Sequence, residues 1–171
     1  ITVVLEGGDP KVTKTRHELS RVTKQAMWAG IARAASAKRT GEIGEAIEAS
    51  VLEQSKHLHW TPDILEGYTG HGIGNHLHEE PEIYNYATRS RGPRINPGTV
   101  ICIEPMLVVG DATSSVLDDD WTVVAVSGAD SAHWEHTVAI GRQGISVLTA
   151  PDNGKEGLAP FGIIPVSEFA N

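Results

Sequence analysis

Residues 67–81 hold three His, two adjacent carboxylates and four Gly within fifteen positions. Such density of metal-ligating and acid/base groups in a glycine-rich segment reads as a site, because histidine titrates near neutral pH and binds metals. Glycine lets backbone pass close to a ligand. His71 lies between Gly70 and Gly72, which leaves its imidazole unobstructed. His78, seven residues on, is free for a separate task as hydrogen-bond donor or acid/base group, and His76 reads as a surface residue. Two further carboxylates, Glu104 and Glu135, interrupt apolar runs downstream. One His with two carboxylates is an oxygen-rich donor set that suits Mn, Fe, Co or Zn in a catalytic role. A carboxylate can bridge two such ions, and a metal lowers the pKa of bound water from 15.7 to about 7, giving a hydroxide able to attack an amide.

Each carboxylate has a second reading. Alternation along 100–106 places Val100, Cys102 and Glu104 on one strand face, where an unpaired carboxylate is costly. Pro105 ends the ladder, so Glu104 could instead reach solvent. Glu135 shares its face with His133 and Thr137, and could be an exposed residue of an edge strand. No His pair has the helical H-x-x-x-H spacing of a zinc protease. There is no G-x-S-x-G elbow. Cys102, within an apolar strand, reads as a small hydrophobe and not a nucleophile.

The elements that must position these groups follow from periodicity. Thr15 and Glu18 have capping-box spacing, which predicts a helix over 15–37. Its stripe is Leu19, Val22, Ala26, Ala29 and Arg33, widened by Met27 and Ile31. A second helix over 40–54 carries Ile43, Ala46, Ile47, Ser50 and Val51. Both stripes are core faces for packing on a sheet. The β-branched run 1–5 reads as a strand entered at full strength. Further strands are predicted over 64–68, 81–86 (strand or loop), 99–109 broken at Glu104-Pro105, 121–126, 132–140 and 145–148, with a hairpin loop at 141–144. Asp118, Asp119 and Asp120 cap a turn. The Pro- and Gly-rich tail 151–171 reads as irregular. Helices followed by strands without strict alternation indicate α+β with a largely antiparallel sheet.

Composition bounds the rest. The length of 171 residues suits one domain with a real core. A net charge of −8 without a basic cluster argues against nucleic-acid and anionic-membrane surfaces. No apolar run approaches 18 residues. The lone Cys102 fits a reducing compartment, so the cytoplasm is expected.

In order and spacing, Gly70-His71-Gly72-Ile73-Gly74, His78-Glu79-Glu80-Pro81, Ile103-Glu104-Pro105-Met106, Trp121-Thr122-Val123 and Trp134-Glu135-His136-Thr137-Val138 resemble a type I methionine aminopeptidase. The resemblance spans roughly 67–149. It implies the pita-bread fold, a curved antiparallel sheet with helices on its outer face. It implies removal of the initiator methionine from nascent chains by two divalent ions (Co, Mn, Fe or Zn). His71, Glu104 and Glu135 would be metal ligands, with Glu135 bridging both ions. Glu104 would also relay a proton between water and the leaving amine. His78 would contact substrate and stabilise the tetrahedral intermediate. Tyr68 and Trp121 match positions that line the methionine pocket, joined by Leu77 where Phe is common. The partners implied are nascent N-termini at the ribosome, met by a monomer.

The family also uses two Asp ligands. The first would fall immediately before Ile1, and the second belongs to a Gly-Asp-Thr motif that this sequence lacks. The expectation is therefore one catalytic domain over 1–171 with about ten residues missing between Gly7 and Gly8, and roughly a hundred before Ile1, given ordinary domain size. Its sheet would have unpaired edges and an exposed inner face, prone to aggregation. Two alternatives share the fold. One is a proline-directed aminopeptidase or dipeptidase, which usually carries additional His. The other is a non-catalytic protein that binds a nascent chain or protein partner.

Overall fold

A computed structural model describes residues 1–167; residues 168–171, the end of the tail expected to be irregular, lie outside the described residues. The first helix, α1 (Pro10–Ala34), begins five residues before the predicted start. Asp9 is its N-cap, accepting from the Lys11 N–H at 2.7 Å, and Pro10 occupies the first turn, where no N–H is needed. The expected capping box is therefore interior. The Thr15 hydroxyl donates back to the Lys11 carbonyl at 3.2 Å. Glu18 accepts instead from the Trp60 indole at 3.1 Å. The second helix, α2 (Gly41–Ser55), lies where its periodicity put it.

Leu19, Val22, Ala26, Met27 and Ile31 of α1 and Ile43 and Ile47 of α2 are buried. Each large side chain among them contributes roughly 1.5–3 kcal/mol on burial. Helix α1 packs on α2 and across the strands. Ala29 is half-buried and Arg33 exposed, where it pairs with Glu42 of α2.

Ten short strands follow. In chain order they are β1 (Pro62–Ile64), β2 (Gly70–Gly72), β3 (Glu79–Ile83), β4 (Thr99–Ile103), β5 (Met106–Val109), β6 (Ser114–Val116), β7 (Val123–Ala125), β8 (Ser131–His133), β9 (His136–Ile140) and β10 (Ile145–Val147). They form antiparallel sheets ordered β10-β9-β4-β2-β3, β1-β5-β8 and β6-β7. The fold class is α+β, as the order of elements implied.

Several boundaries differ from expectation. Residues 1–5 join no ladder; Thr2 is tied through its hydroxyl to the backbone of His133 and through its carbonyl to the Ser20 hydroxyl. The strand predicted over 64–68 is instead Pro62–Ile64, because Glu66 and Gly67 turn the chain. The run 121–126 shortens to β7, after Asp119 captures the N–H groups of Trp121 and Thr122 at 3.0 and 2.8 Å. The run 132–140 breaks into β8 and β9 at Trp134-Glu135. The tail is not wholly irregular: Asp152 accepts from Gly154 and Glu156 N–H groups and starts a short helix, α3 (Lys155–Leu158), which a 3-10 turn (Ala159–Phe161) continues.

Candidate metal centre

The chain passes between the two larger sheets at two kinks. The chain leaves the five-stranded sheet at the end of β4, kinks at Glu104-Pro105, and enters the three-stranded sheet as β5. Beside it, β8 leaves the three-stranded sheet, kinks at Trp134-Glu135, and enters the five-stranded one as β9. Ile103 pairs with His136 and Met106 with His133, so the two kinks lie opposite one another. Proline cannot donate to a ladder, so the first kink has a local cause. Each kink frees one carboxylate from the pleat, and both carboxylates emerge at the seam between the sheets. The Glu104 side chain is only 12% exposed, whereas Glu135 is exposed.

Two imidazoles flank Glu104. Nε2 of His71 lies 3.3 Å from its Oε1, and Nε2 of His133 lies 3.3 Å from its Oε2. Nδ1 of His71 is 2.9 Å from the Gly72 carbonyl. A carbonyl only accepts, so Nδ1 donates to it and Nε2 is the nitrogen turned toward the carboxylate. A proton or a cation between Nε2 and Oε1 would hold the two together. Metal-binding histidines are commonly oriented in this way, through the other ring nitrogen on a backbone carbonyl.

Nε2 of His133 is buried and has no hydrogen-bond partner, although it lies near the Glu104 carboxylate. Donor atoms of Glu104, His133 and Glu135 all lie within 4.8 Å of one another, the one such group of three among the described residues. The residues therefore fit a divalent cation, both in donor chemistry and in the unpartnered nitrogen that one would satisfy. His71 touches Glu104 but stands outside that mutual group of three.

The glycines around His71 serve a purpose other than the one expected. Residues 70–72 are the strand β2, between β3 and β4, and not a loop. A Cβ on Gly70 would lie 2.2 Å from the Cys102 carbonyl, and one on Gly72 2.2 Å from that of Glu80. Close approach of neighbouring strands requires glycine here, and it brings His71 against Glu104. Asn85 holds the opposite side. It is fully buried, and its Nδ2 donates to the carbonyls of Tyr68 (3.3 Å) and Glu104 (3.5 Å). Cys102 is buried, 3.5 Å from the Thr137 hydroxyl. Burial, with the Glu135 and Glu104 carboxylates nearby, pushes its thiol up to about 11. It is thus protonated and inert at neutral pH.

The remaining candidates are spread out. The exposed His78 lies edge-on to His71, ring centroids 4.4 Å apart. Tyr68 lines an apolar cavity of about 190 Å³ with Leu65, Met106, Val108 and Ala132, and His133 stands in its wall. Leu77 and Trp121 are exposed and do not line this cavity. His76 is exposed, its N–H donating to Glu79 at 2.8 Å. A larger cleft of about 730 Å³ lies elsewhere and gathers Arg33, Lys38, Arg39, Arg91 and Arg94 around Glu42, a basic cluster that the linear sequence did not reveal. His133 and Asn85 are the site residues that sequence reasoning passed over. For His133 the signal was its place on the Glu135 face; for Asn85 there was none.

Residues 1–142 match the pattern of metallopeptidase family M24. The chain belongs to that family. It is 40% identical over 131 residues to methionine aminopeptidase 1 of Mycobacterium tuberculosis, covering 77% of this chain and 49% of that protein. It is 38% identical over 132 residues to methionine aminopeptidase 1 of Bacillus subtilis, covering 77% and 51%. Among solved structures, the Thermotoga maritima methionine aminopeptidase superposes with a TM-score of 0.72 at 34% identity, covering 84% of this chain and 54% of that one. The M24 chain thus has the pita-bread fold of these enzymes, and it spans about half the length of the relatives it matches. No helix among the described residues is long and apolar enough to cross a membrane.

Proposed function

We propose that this M24 chain is the catalytic portion of a cytoplasmic, metal-dependent aminopeptidase that releases the initiator methionine from nascent polypeptides. The observation that carries the reading is Glu104 held between two imidazole nitrogens at 3.3 Å, with Glu135 beside it. Glu104, Glu135 and His71 would hold the divalent ion. When bound, it supplies Lewis acidity toward water and the scissile amide.

The chain's own groups do the rest. Glu104, largely shielded from solvent, moves a proton between water and the departing amine through a carboxylate oxygen. His78 donates to the substrate oxygen on which negative charge develops. The Tyr68 cavity takes an apolar side chain, and its volume of about 190 Å³ matches one residue and not a peptide. Leu77 and Trp121, which the resemblance assigns to the methionine pocket, are exposed and lie outside this cavity. The resemblance implies a second ion, which Glu135 would help to hold. It would need carboxylates beyond those that residues 1–167 bring to this centre.

The test is metal-stripped protein resupplied in turn with Mn(II), Co(II), Fe(II) and Zn(II), assayed for methionine release from a Met-Gly peptide and a Met-Pro peptide. Release restored by metal supports the reading. Tight binding of the peptides without cleavage under any metal would replace it with the non-catalytic alternative. Calorimetric titration of Mn(II) gives the number of ions, and sedimentation tests the expected monomer.

A further inference from the structure

The ligand set carried by the motifs is His71, Glu104 and Glu135. The fold groups Glu104 and Glu135 with a different histidine, His133. We propose that His133 is itself a metal ligand in this chain, through Nε2, so that two imidazoles and two carboxylates surround the ion. This rests on the metal-centre reading above and adds a residue to it.

Four observations carry the assignment. Donor atoms of Glu104, His133 and Glu135 lie within 4.8 Å of one another. The Nε2–Oε2 separation of His133 and Glu104 is 3.3 Å; two donors on one tetrahedral ion with bonds of about 2.0–2.1 Å stand about 3.3 Å apart. Nε2 of His133 is buried without a hydrogen-bond partner, although 41% of the side chain is exposed. The buried end of the ring is therefore the end that faces the carboxylates.

Lastly, the backbone of His133 is clamped. Its N–H donates to the Thr2 hydroxyl at 2.8 Å, and that hydroxyl lies 2.9 Å from its carbonyl. A lone surface histidine needs no such fixing, whereas a ligand gains affinity from a preset position. A second imidazole also changes metal choice. Imidazole suits Zn and Fe, while carboxylate and water suit Mn and Mg. The His133-containing centre should favour Zn(II) and Co(II) over Mn(II).

The test loads the full chain with Zn(II) or Co(II) and counts imidazoles by X-ray absorption, with affinities from calorimetry on the wild type, His133→Gln and His71→Ala. The expected result is two imidazoles in the wild type and one in each variant. His133→Gln should lose at least tenfold in Zn(II) and Co(II) affinity, and less in Mn(II) affinity. One imidazole in the wild type that survives in His133→Gln, or affinities unchanged within twofold, overturns the proposal while leaving the metal centre standing. A wild type that binds neither ion overturns both. If His133→Gln does not fold, His71→Ala decides: one remaining imidazole supports the assignment, none refutes it.

Discussion

Replacing Gly70 by Ala probes whether strand packing builds this site. The added Cβ would stand 2.2 Å from the Cys102 carbonyl oxygen and 3.2 Å from Cβ of Ile83. The closer atom is backbone of β4, which is bonded to β2 on one side and β9 on the other, so it cannot swing away. Clearing the contact to even 3.0 Å requires about 0.8 Å of strand movement. Overpacking of this kind costs about 1–3 kcal/mol, sometimes more. The smaller unfolded-state entropy of Ala returns about 0.4–1 kcal/mol. The net expectation is a loss of about 1–2 kcal/mol. At this length a Tm moves about 2–4 °C per kcal/mol, so a fall of about 2–8 °C should follow in a thermal melt. Gly67→Ala is the matched control: nothing lies within 4 Å of its Cβ, and its Tm should hold or rise. Because Glu104 is two residues beyond Cys102, Gly70→Ala should also weaken Co(II) binding, and Gly67→Ala should not. A Gly70→Ala protein melting within about 1 °C of wild type would refute the claim that β2–β4 contact demands glycine. It would return these residues to the role of giving a ligand room.

Other outcomes follow from the same geometry. Glu135→Ala and Glu104→Gln should abolish methionine release and weaken metal binding, measured by peptide assay and calorimetry; near-native turnover in either removes that residue from the mechanism. His78→Ala should cut kcat by roughly 10²–10³-fold with metal affinity unchanged, and equal loss of metal would make it a ligand instead. Asn85→Ala should cost about 1–3 kcal/mol in urea denaturation, because it strips the donor from two part-buried carbonyls, and should weaken metal binding through displaced Glu104. The Cys102 thiol, ordinarily near 9.0 and raised to about 11 in the fold, stays neutral in the native state over a range where the unfolded chain ionises. Its contribution is complete below about pH 9 and is lost as pH rises toward 11. Chemical melts from pH 8 to 11 should show that decline, and Cys102→Val should flatten it.

Helix faces and most strands were legible because they repeat, and a repeat survives without knowledge of partners. Leu19, Val22, Ala26 and Ile31 mark one helix face wherever that helix packs, and all are buried. The break at Glu104 was legible because Pro105 announces it. The break at Glu135 was not, since nothing in Trp134-Glu135 forbids a continuous strand. Alternation placed His133 and Glu135 on one face, but alternation holds only along an unbroken strand. What brings His133 to the centre is register. Met106 pairs with His133 and Ile103 with His136, so the residues between those pairs, Glu104 and Glu135 among them, are pushed out of both ladders together. Register between strands distant in sequence depends on every turn and bulge between them. The motifs could therefore name the two carboxylates, because each is marked by its own neighbours. They could not name the second imidazole, whose only claim to the site is the strand it faces.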